Sequence, residues 1–123
     1  MVSVPSFILR RLYMKGSLQS TEMGMRFKIL NKLGAGYTRR LLPLTLDGQE
    51  IPLDNCSFWV DGTRIPFASI SREEPFTIAL NKETTIAAEG VTLTEQPHKI
   101  GMAFEVAGLG VLRFDFTDTP SNG

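Results

Sequence analysis

Glycine and proline interrupt this sequence too often for long helices to form. The 123 residues include eleven Gly and seven Pro, about one every seven positions, which is close to the length of a strand with its turn. The longest segment that lacks both, residues 76–89, is rich in β-branched side chains and has Asn81-Lys82 in its middle. This segment is therefore predicted to form a hairpin rather than a helix.

Alternation of apolar and polar residues marks the individual strands. In residues 99–106 and 112–117 every second side chain is apolar, which is the period of a half-buried antiparallel strand. The Ala-Gly-Leu-Gly sequence at 107–110 is predicted to be the turn between them. Residues 25–29 repeat the pattern, with Arg26 and Lys28 on the polar face. If that strand lies beside the C-terminal hairpin, we expect Glu105 and Asp115 to pair with these basic side chains.

A short quasi-repeat predicts two further hairpins. Leu-Asp-Gly-Gln-Glu-Ile-Pro-Leu at residues 46–53 returns as Val-Asp-Gly-Thr-Arg-Ile-Pro-Phe at 60–67. Asp-Gly between apolar residues is typical of a type I′ turn, and the proline then ends the strand. Together these patterns predict an all-β, single-domain antiparallel β-sandwich or flattened barrel of about eight to ten short strands. We expect this domain to span residues 1–118, followed by a flexible C-terminal tail at 119–123.

The net charge is zero, but the charges are sorted along the chain. Residues 1–40 carry eight Lys and Arg against one Glu, a net charge of +7, and residues 41–123 carry five against twelve acidic residues, a net charge of −7. Such an asymmetry can mark a nucleic-acid surface, but binding to phosphates usually requires a clearly basic domain. We therefore expect no nucleic-acid partner, and basic early strands that lie beside acidic later ones.

Neither a transmembrane span nor a signal peptide is expected. No stretch approaches the roughly 18 apolar residues of a membrane helix. Arg10 and Arg11 interrupt the short apolar run near the N-terminus, which is unlike a signal peptide. We therefore expect a soluble, cytoplasmic protein with no membrane partner.

A single cysteine and a single histidine limit the chemistry of the chain. Cys56 has no second cysteine for a disulfide, and His98 lacks the neighbouring ligands that a zinc site needs. A Cys56–His98 nucleophilic pair is conceivable, because a thiolate needs an adjacent base. We favour a half-buried strand cysteine instead, since nothing in the sequence places the two side chains together. No catalytic residue, metal or cofactor is predicted on this chain.

A glycine-rich loop is the first candidate functional segment. Leu-Gly-Ala-Gly at 33–36 is followed by Tyr37, Arg39 and Arg40, and such a loop can cradle a phosphate through its backbone N–H groups. The nucleotide-binding fingerprints both fail here, because no Walker Lys-Ser ending and no helix follow. We favour an inter-strand loop that faces a partner, with Tyr37, Arg39 and Arg40 as interface residues.

Two further candidates have simpler structural explanations. Trp59 can pack in the core, or, if Phe58 points inward, it faces outward and is free to contact a sugar or another subunit. The pattern leaves that choice open. Four carboxylates at 47, 50, 54 and 61 resemble the paired acids of glycoside hydrolysis. We favour a structural explanation for them, because Asp47 and Asp61 belong to Asp-Gly turns.

The hairpin sequences resemble those of a known family. Leu-Pro-Leu-Thr-Leu-Asp-Gly-Gln-Glu-Ile-Pro-Leu at 42–53, followed by Phe-Trp-Val-Asp-Gly at 58–62, is similar to the small β-subunits of bacterial C-glycoside deglycosidases. Those chains share a Leu-Pro-Leu approach, a Val-Asp-Gly-Glu-x-Val-Pro turn and a Phe-x-Val-x-Gly strand. Residues 96–101 resemble their Glu-His-x-Val stretch. The resemblance covers about residues 24–106, but residues 31–37 stand where that family has an Ile-Pro-Tyr-rich segment.

The resemblance implies a non-catalytic accessory subunit of a two-subunit lyase. In that family a TIM-barrel α-subunit, similar to sugar isomerases, holds a divalent metal and cleaves 3-oxo-glycosides by elimination. The β-sandwich subunit supports it and shapes the substrate entrance. Tyr37, Arg39, Arg40 and Trp59 are then the expected partner-facing or substrate-entrance residues, with a glycoside substrate at the interface.

Two alternatives remain open at this stage. The first is a standalone, self-associating β-sandwich that binds a ligand or a partner, with the basic part of one copy against the acidic part of another. The second is an independent hydrolase that uses its own carboxylates.

Overall fold

A computed structural model describes residues 4–122 and contains, within them, twelve strands and one short α-helix. The helix is α1 (Ser6–Leu9), and 3-10 turns form at Arg10–Leu12, Leu53–Asn55 and Phe67–Ser69. The strands are β1 (Gln19–Ser20), β2 (Gly24–Leu30), β3 (Gly36–Leu41), β4 (Thr45–Leu46), β5 (Gln49–Glu50), β6 (Cys56–Val60), β7 (Thr63–Pro66), β8 (Phe76–Ile78), β9 (Glu83–Glu89), β10 (His98–Val106), β11 (Gly110–Asp118) and β12 (Ser121–Asn122).

The strands form two sheets. Sheet 1 has the order β12-β1-β2-β9-β6-β7, and only its β1–β12 pair is parallel. Sheet 2 is built around β10, which pairs with β11 on one side and with β3 and β4 on the other; β8 and β5 complete it. This architecture confirms the predicted all-β sandwich, with more strands than expected because four of the twelve described strands have only two residues.

The core lies between the two sheets. Phe27 on β2 meets Phe116 on β11 edge to face, with ring centroids 5.0 Å apart. Phe58 on β6 stacks on Phe76 of β8 at 4.0 Å. The predicted inward face of residues 25–29 is confirmed, since its three apolar side chains are buried. Removal of such large apolar side chains from water is the main force that holds the sheets together.

Three of the predicted turns form as expected. Asp47 and Gly48 have φ of 50° and 86°, and Asp61 and Gly62 have φ of 52° and 79°. Positive φ at both central residues defines the type I′ turn. The two turns join β4 to β5 and β6 to β7. Residues 107–110 join β10 to β11, which pair along nine residues.

The hairpin predicted for residues 76–89 is wrong. β8 pairs with β3 in sheet 2, whereas β9 lies between β2 and β6 in sheet 1. Both edges of β9 are therefore occupied, which leaves no edge for β8. Asn81 does turn the chain, with φ of 60°, but the turn carries it from one sheet to the other.

The expected neighbours of β2 are also wrong. β2 lies in sheet 1 and the β10–β11 hairpin lies in sheet 2, so Glu105 and Asp115 do not face Arg26 and Lys28 across strands. Lys28 pairs instead with Glu83 of β9, with Nζ and Oε1 3.1 Å apart.

The sorted charges nevertheless meet within the molecule. Early basic side chains pair with later acidic ones, as in Arg10–Asp115 at 3.4 Å between Nη2 and Oδ1. Arg40 Nη2 lies 3.6 Å from Glu105 Oε1. Exposed pairs of this kind contribute about 0–1 kcal/mol each.

The N-terminal segment closes one side of the sandwich. Leu9 and Leu12 are buried, and the Tyr13 ring stacks on Phe116 with centroids 3.5 Å apart. The Tyr13 hydroxyl donates to Asp118 Oδ2 at 2.6 Å. Burial, together with the Asp118 carboxylate, raises the pKa of Tyr13 to about 12. This phenol therefore stays protonated as a donor at neutral pH.

The last described residues carry backbone hydrogen bonds. Ser121 N donates to Leu18 O at 3.0 Å, and β12 pairs with β1. These residues fall within the segment 119–123 that was predicted to be a tail. Among the described residues, the helices are all too short to cross a membrane.

Candidate functional site

One end of the sandwich is built from three connections, and we call it the apolar end: loop 31–35, turn 79–82 and turn 107–110. Asn31 organises it from a buried position. Its Nδ2 donates to Gly34 O at 2.7 Å and to Ile78 O at 2.9 Å. Its Oδ1 accepts from Leu33 N at 3.0 Å. Asn81 N donates to the Asn31 carbonyl at 2.6 Å, which joins the second connection to the first.

A cleft of about 340 Å³ opens at this end. Asn31 is the one polar side chain among the described residues that line it, and its amide is already hydrogen-bonded. The rest of the lining is apolar or glycine, including Ile8, Leu12, Leu33, Ile78, Leu109 and Leu112. The cleft is therefore suited to an apolar group rather than to a charged one.

Large apolar side chains are exposed at this end, and one of them, Leu33, lines the cleft. The exposed fractions are 42% for Leu33, 62% for Tyr37 and 51% for Leu80. Tyr37 belongs to this end because its carbonyl accepts from Ala107 N at 3.0 Å. Val111, just beyond the third connection, is exposed as well. Clustered exposed apolar residues around a cleft are typical of an interaction surface.

The glycine-rich segment lies in this end as an inter-strand loop. It carries the chain from β2 in sheet 1 to β3 in sheet 2. The Asn31 side chain accepts from the backbone N–H groups of Leu33 and Gly34. Those two N–H groups are thus engaged with the protein itself rather than directed at an anion.

The second feature is a charged cluster on the outer side of sheet 2, which we call the arginine cleft. A cleft of about 410 Å³ is lined by Arg39, Arg40, Ile70, Ser71, Arg72 and Glu105. Arg72 is presented by a turn in which Ser71 Oγ accepts from Glu74 N at 3.2 Å. Glu105 is the one carboxylate in the lining.

The four predicted interface residues do not meet at one place. Tyr37, Arg39 and Arg40 lie on β3 of sheet 2. Trp59 lies on β6 of sheet 1, with Phe58 buried and Trp59 39% exposed. Trp59 therefore faces outward on the opposite sheet, where it lines a cleft together with Met23 and Thr85. Their partner contacts stay a prediction.

A third cluster joins a turn, a loop and a strand through His98. Its Nδ1 lies 2.7 Å from Asp47 Oδ2, and its Nε2 lies 3.0 Å from Thr94 Oγ1. Asp47 Oδ1 also accepts from Lys99 N at 2.9 Å. The hydrogen bonds from His98 and Lys99 hold the pKa of Asp47 below its ordinary value.

This order of atoms resembles a nucleophile–base–acid triad, but its hydrogen bonds point to another role. His98 Nε2 also lies 3.1 Å from the carbonyl oxygen of Thr94. His98 is also buried, which leaves its ring little access to a substrate. The three side chains therefore fasten the β4–β5 turn and the 91–97 loop to β10.

The conceivable Cys56–His98 pair does not form. Cys56 is fully buried on β6, where its Sγ lies 3.6 Å from Pro52 O. Burial raises the pKa of this thiol, which keeps it in the unreactive thiol form. The predicted position on a strand is confirmed, but the side chain is fully buried rather than half-buried.

The four candidate carboxylates are not paired with one another in the structure. Asp47 contacts His98 and Lys99, and Asp61 lies 3.8 Å from Lys82 Nζ. Glu50 is exposed on β5, and Asp54 is exposed in a 3-10 turn. Over residues 4–122, no group of three or more His, Cys, Asp or Glu side chains could hold a metal ion. The absence of a cofactor on this chain stays a prediction.

The sequence patterns gave no functional role to Leu80, Arg72 or Glu105. The apolar end needs Leu33 and Leu80, and the arginine cleft needs Arg72 and Glu105. These residues lie tens of positions apart in the sequence, and only strand pairing brings them together. The doublet Arg39-Arg40, predicted above as interface residues, is the one part of the second site that a local pattern indicated.

Comparison with protein families contradicts the resemblance described above. The family model described as Hydroxymethylglutaryl-CoA reductase, N-terminal domain, matches residues 8–121. A search of curated proteins finds no significant match. The matched segment includes the last two residues of α1, every strand from β1 to β11, and the first residue of β12.

This match corrects several expectations. The chain is not a β-subunit of a C-glycoside deglycosidase. The predicted roles in a lyase and in carbohydrate metabolism are therefore wrong as well. The prediction of a TIM-barrel α-subunit partner, with a glycoside at the interface, is wrong for the same reason. The standalone, self-associating module gains no support from the match either. The resemblance misled because its motifs centre on Asp-Gly turns, which unrelated sandwiches also use.

The match leaves out only the first seven and the last two residues of the chain, and it spans both sheets, the apolar end and the arginine cleft. The chain belongs to the hydroxymethylglutaryl-CoA reductase N-terminal domain family.

Proposed function

We propose that this chain is a docking domain of a hydroxymethylglutaryl-CoA reductase-type protein. In this proposal its apolar end packs against the catalytic part of the reductase. The family description supports the choice of partner, because it names an N-terminal domain of such an enzyme. A domain of this kind acts beside the remainder of the reductase.

The observation that carries the proposal is the apolar cleft with its exposed rim. The cleft has a volume of about 340 Å³, and Leu33, Tyr37 and Leu80, which we call the rim, expose large apolar side chains at the same end of the sandwich. Burial of one such side chain against a partner is worth about 1.5–3 kcal/mol. A partner segment with one protruding apolar side chain would fill the cleft and cover the rim together.

Binding rather than chemistry is the role that the side chains favour. The residues with catalytic potential, Asp47 and His98, hydrogen-bond to structural groups. Tyr37 belongs to the rim of the proposed contact, and Arg39 and Arg40 follow it on β3. Trp59, on the other sheet, lies outside the contact.

The proposal places the domain in the cytoplasm. Cys56 is a free, buried thiol. A free thiol persists most readily in a reducing compartment.

A binding measurement with two paired variants tests the docking proposal. The chain and the catalytic part of a reductase from the same genome are mixed, and their affinity is measured by calorimetry. Leu33→Asp combined with Leu80→Asp places two charges on the apolar rim, so we expect affinity to fall at least about tenfold.

Met23→Asp is the matched control. Met23 is as exposed as the rim residues, at 66%, but it precedes β2 and therefore lies at the opposite end of the sandwich. We expect this variant to bind like the unmodified chain. An equal loss in all variants, or no binding by the unmodified chain, would overturn the docking proposal.

A further inference from the structure

The arginine cleft has an unusual backbone at its base. β3 pairs with β10 through Arg40 opposite Glu105 and Thr38 opposite Val106, so the register shifts and Arg39 is an extra residue. In a regular strand, neighbouring side chains point to opposite faces. The bulge removes that alternation, and Arg39 and Arg40 both line the same cleft. Bulges often re-aim side chains at functional sites.

The cleft holds more positive charge than its single carboxylate can balance. Three guanidinium groups line it together with Glu105. Arg40 Nη2 lies 3.6 Å from Glu105 Oε1, and Arg72 Nη2 lies 3.8 Å from Oε2. Both distances exceed the roughly 2.7–2.9 Å of a charge-assisted hydrogen bond. Glu73 and Glu74 follow Arg72 in the chain but do not line the cleft.

Unused hydrogen-bond donors accompany this charge. The Nε atom of Arg39 is buried and has no hydrogen-bond partner within the described structure. A buried donor without a partner is uncommon and calls for an acceptor. Arg40 and Arg72 are exposed, so their remaining N–H groups are free to turn toward a ligand. The Ser71 hydroxyl lies in the same lining.

We propose that the arginine cleft binds a dianionic phosphate group carried by a small molecule. Guanidinium forks bind the oxygens of phosphate in pairs, with geometry and charge that a lysine does not match. Two positive charges remain in the cleft after Glu105 is counted, which suits a dianion better than a monoanion. The site is separate from the apolar end, so its failure would leave the docking proposal unaffected.

Calorimetric titration of the isolated 123-residue chain tests this proposal. Inorganic phosphate and pyrophosphate are the probes, with acetate as the monoanion, all at one low ionic strength because salt screens exposed charges. We expect saturable binding of both phosphates. Arg40→Ala combined with Arg72→Ala should weaken that binding about tenfold or more.

Two further variants make the result specific. Glu105→Gln removes the competing carboxylate without changing its shape, so phosphate should bind several-fold more tightly. Arg26→Ala is the matched control, because Arg26 is exposed on the other sheet, where its Nε donates to Gln19 Oε1 at 2.6 Å. This variant should bind phosphate like the unmodified chain.

Each other outcome overturns the assignment. Absence of saturable binding would do so, as would phosphate binding that survives the double arginine variant. Acetate that binds as tightly as phosphate would contradict a site for a dianion. If the double variant fails to fold by circular dichroism, Glu105→Gln decides: unchanged affinity in that variant would refute the site.

Discussion

Two Asp-Gly turns of nearly the same sequence place their carboxylates in different surroundings. Asp47 accepts hydrogen bonds from His98 and from the backbone of Lys99. Asp61 is almost fully exposed and lies 3.8 Å from Lys82. The sequence predicts both turns, because Asp-Gly favours the type I′ conformation. It does not predict the His98 contact, which joins residues 51 positions apart.

This difference predicts a pH dependence for Asp47→Asn. The pKa of Asp47 is lowered from 3.8 in the folded state by the hydrogen bonds of His98 and Lys99. A lowered pKa adds stability above the unfolded pKa, and this stability is lost as pH falls through the folded pKa. Asp47→Asn should therefore destabilise the fold at pH 5–7, and the deficit should shrink below about pH 4.

Urea denaturation midpoints measured from pH 3 to pH 7 check this prediction. Asp61→Asn is the control, because it makes the same change at the same turn position without the histidine contact. We expect the loss of stability for Asp47→Asn to exceed that for Asp61→Asn at pH 5–7. Identical pH profiles for the two variants would show that the His98 contact adds no stability.

The cleft that the Arg39 side chain enters could not be predicted from the local sequence. The doublet Arg39-Arg40 is visible in the sequence, but alternation alone would put the two side chains on opposite faces of β3. The bulge that places both in one cleft depends on the register between β3 and β10. A local pattern does not encode that register.

At the level of elements, the pairing of β2 with β9 depends on a close approach between Gly24, the first residue of β2, and the backbone of β9. A side chain added to Gly24 would place its Cβ 2.1 Å from the carbonyl oxygen of Ala88. That oxygen belongs to the backbone of β9 within the sheet, so it does not move away easily. Gly24 also pairs with Glu89 at the end of the ladder.

Gly24→Ala should therefore destabilise the domain by about 1–3 kcal/mol, the usual cost of overpacking. Gly34→Ala is the matched control. Gly34 has φ of 154° against 157° for Gly24, but an added Cβ there meets no atom within 4 Å. Both substitutions therefore replace a glycine at a similar φ, at a similar conformational cost. Only Gly24→Ala adds a steric clash.

Chemical denaturation of the two variants and the unmodified chain gives the comparison. We expect the Gly24→Ala midpoint to fall clearly below that of Gly34→Ala. Equal midpoints would mean that the β2–β9 ends separate without cost, and that the close approach does not matter for stability.

Local patterns predicted the elements better than their partners. The inward face of residues 25–29 and three turns were predicted correctly, because alternation and turn chemistry are local. The partners of β8 and β9 were predicted wrongly, because residues 76–89 look like one hairpin. Whether a short connection turns within a sheet or crosses to the other depends on which edges are already occupied.

At the scale of the whole molecule, the sandwich was predictable and the family was not. Frequent Gly and Pro residues between segments of alternating apolar and polar residues are enough to indicate two packed sheets. The Asp-Gly hairpins that suggested another family recur across unrelated sandwiches. The match over residues 8–121 uses the chain as a whole and therefore overrides them.

The apolar end is likewise a property of the whole fold. Its three connections are tens of residues apart in the sequence, and Asn31 joins two of them through its side chain and its carbonyl. In the sequence, Leu33 begins the glycine-rich segment, whereas nothing marks Leu80. Only when the sandwich has formed do they lie at the same end, Leu33 in the lining of the cleft and Leu80 in a neighbouring turn.

Amide hydrogen exchange on the chain, alone and with the reductase catalytic part, tests the docking proposal most directly. The proposal predicts slower exchange in the complex at residues 31–37, 78–82 and 107–111, because a docked partner excludes water from the apolar end. Residues 20–24, at the opposite end, should exchange as they do in the free chain. Protection at 20–24 or around Trp59 with none at the apolar end, or no protection at saturating partner, would contradict it.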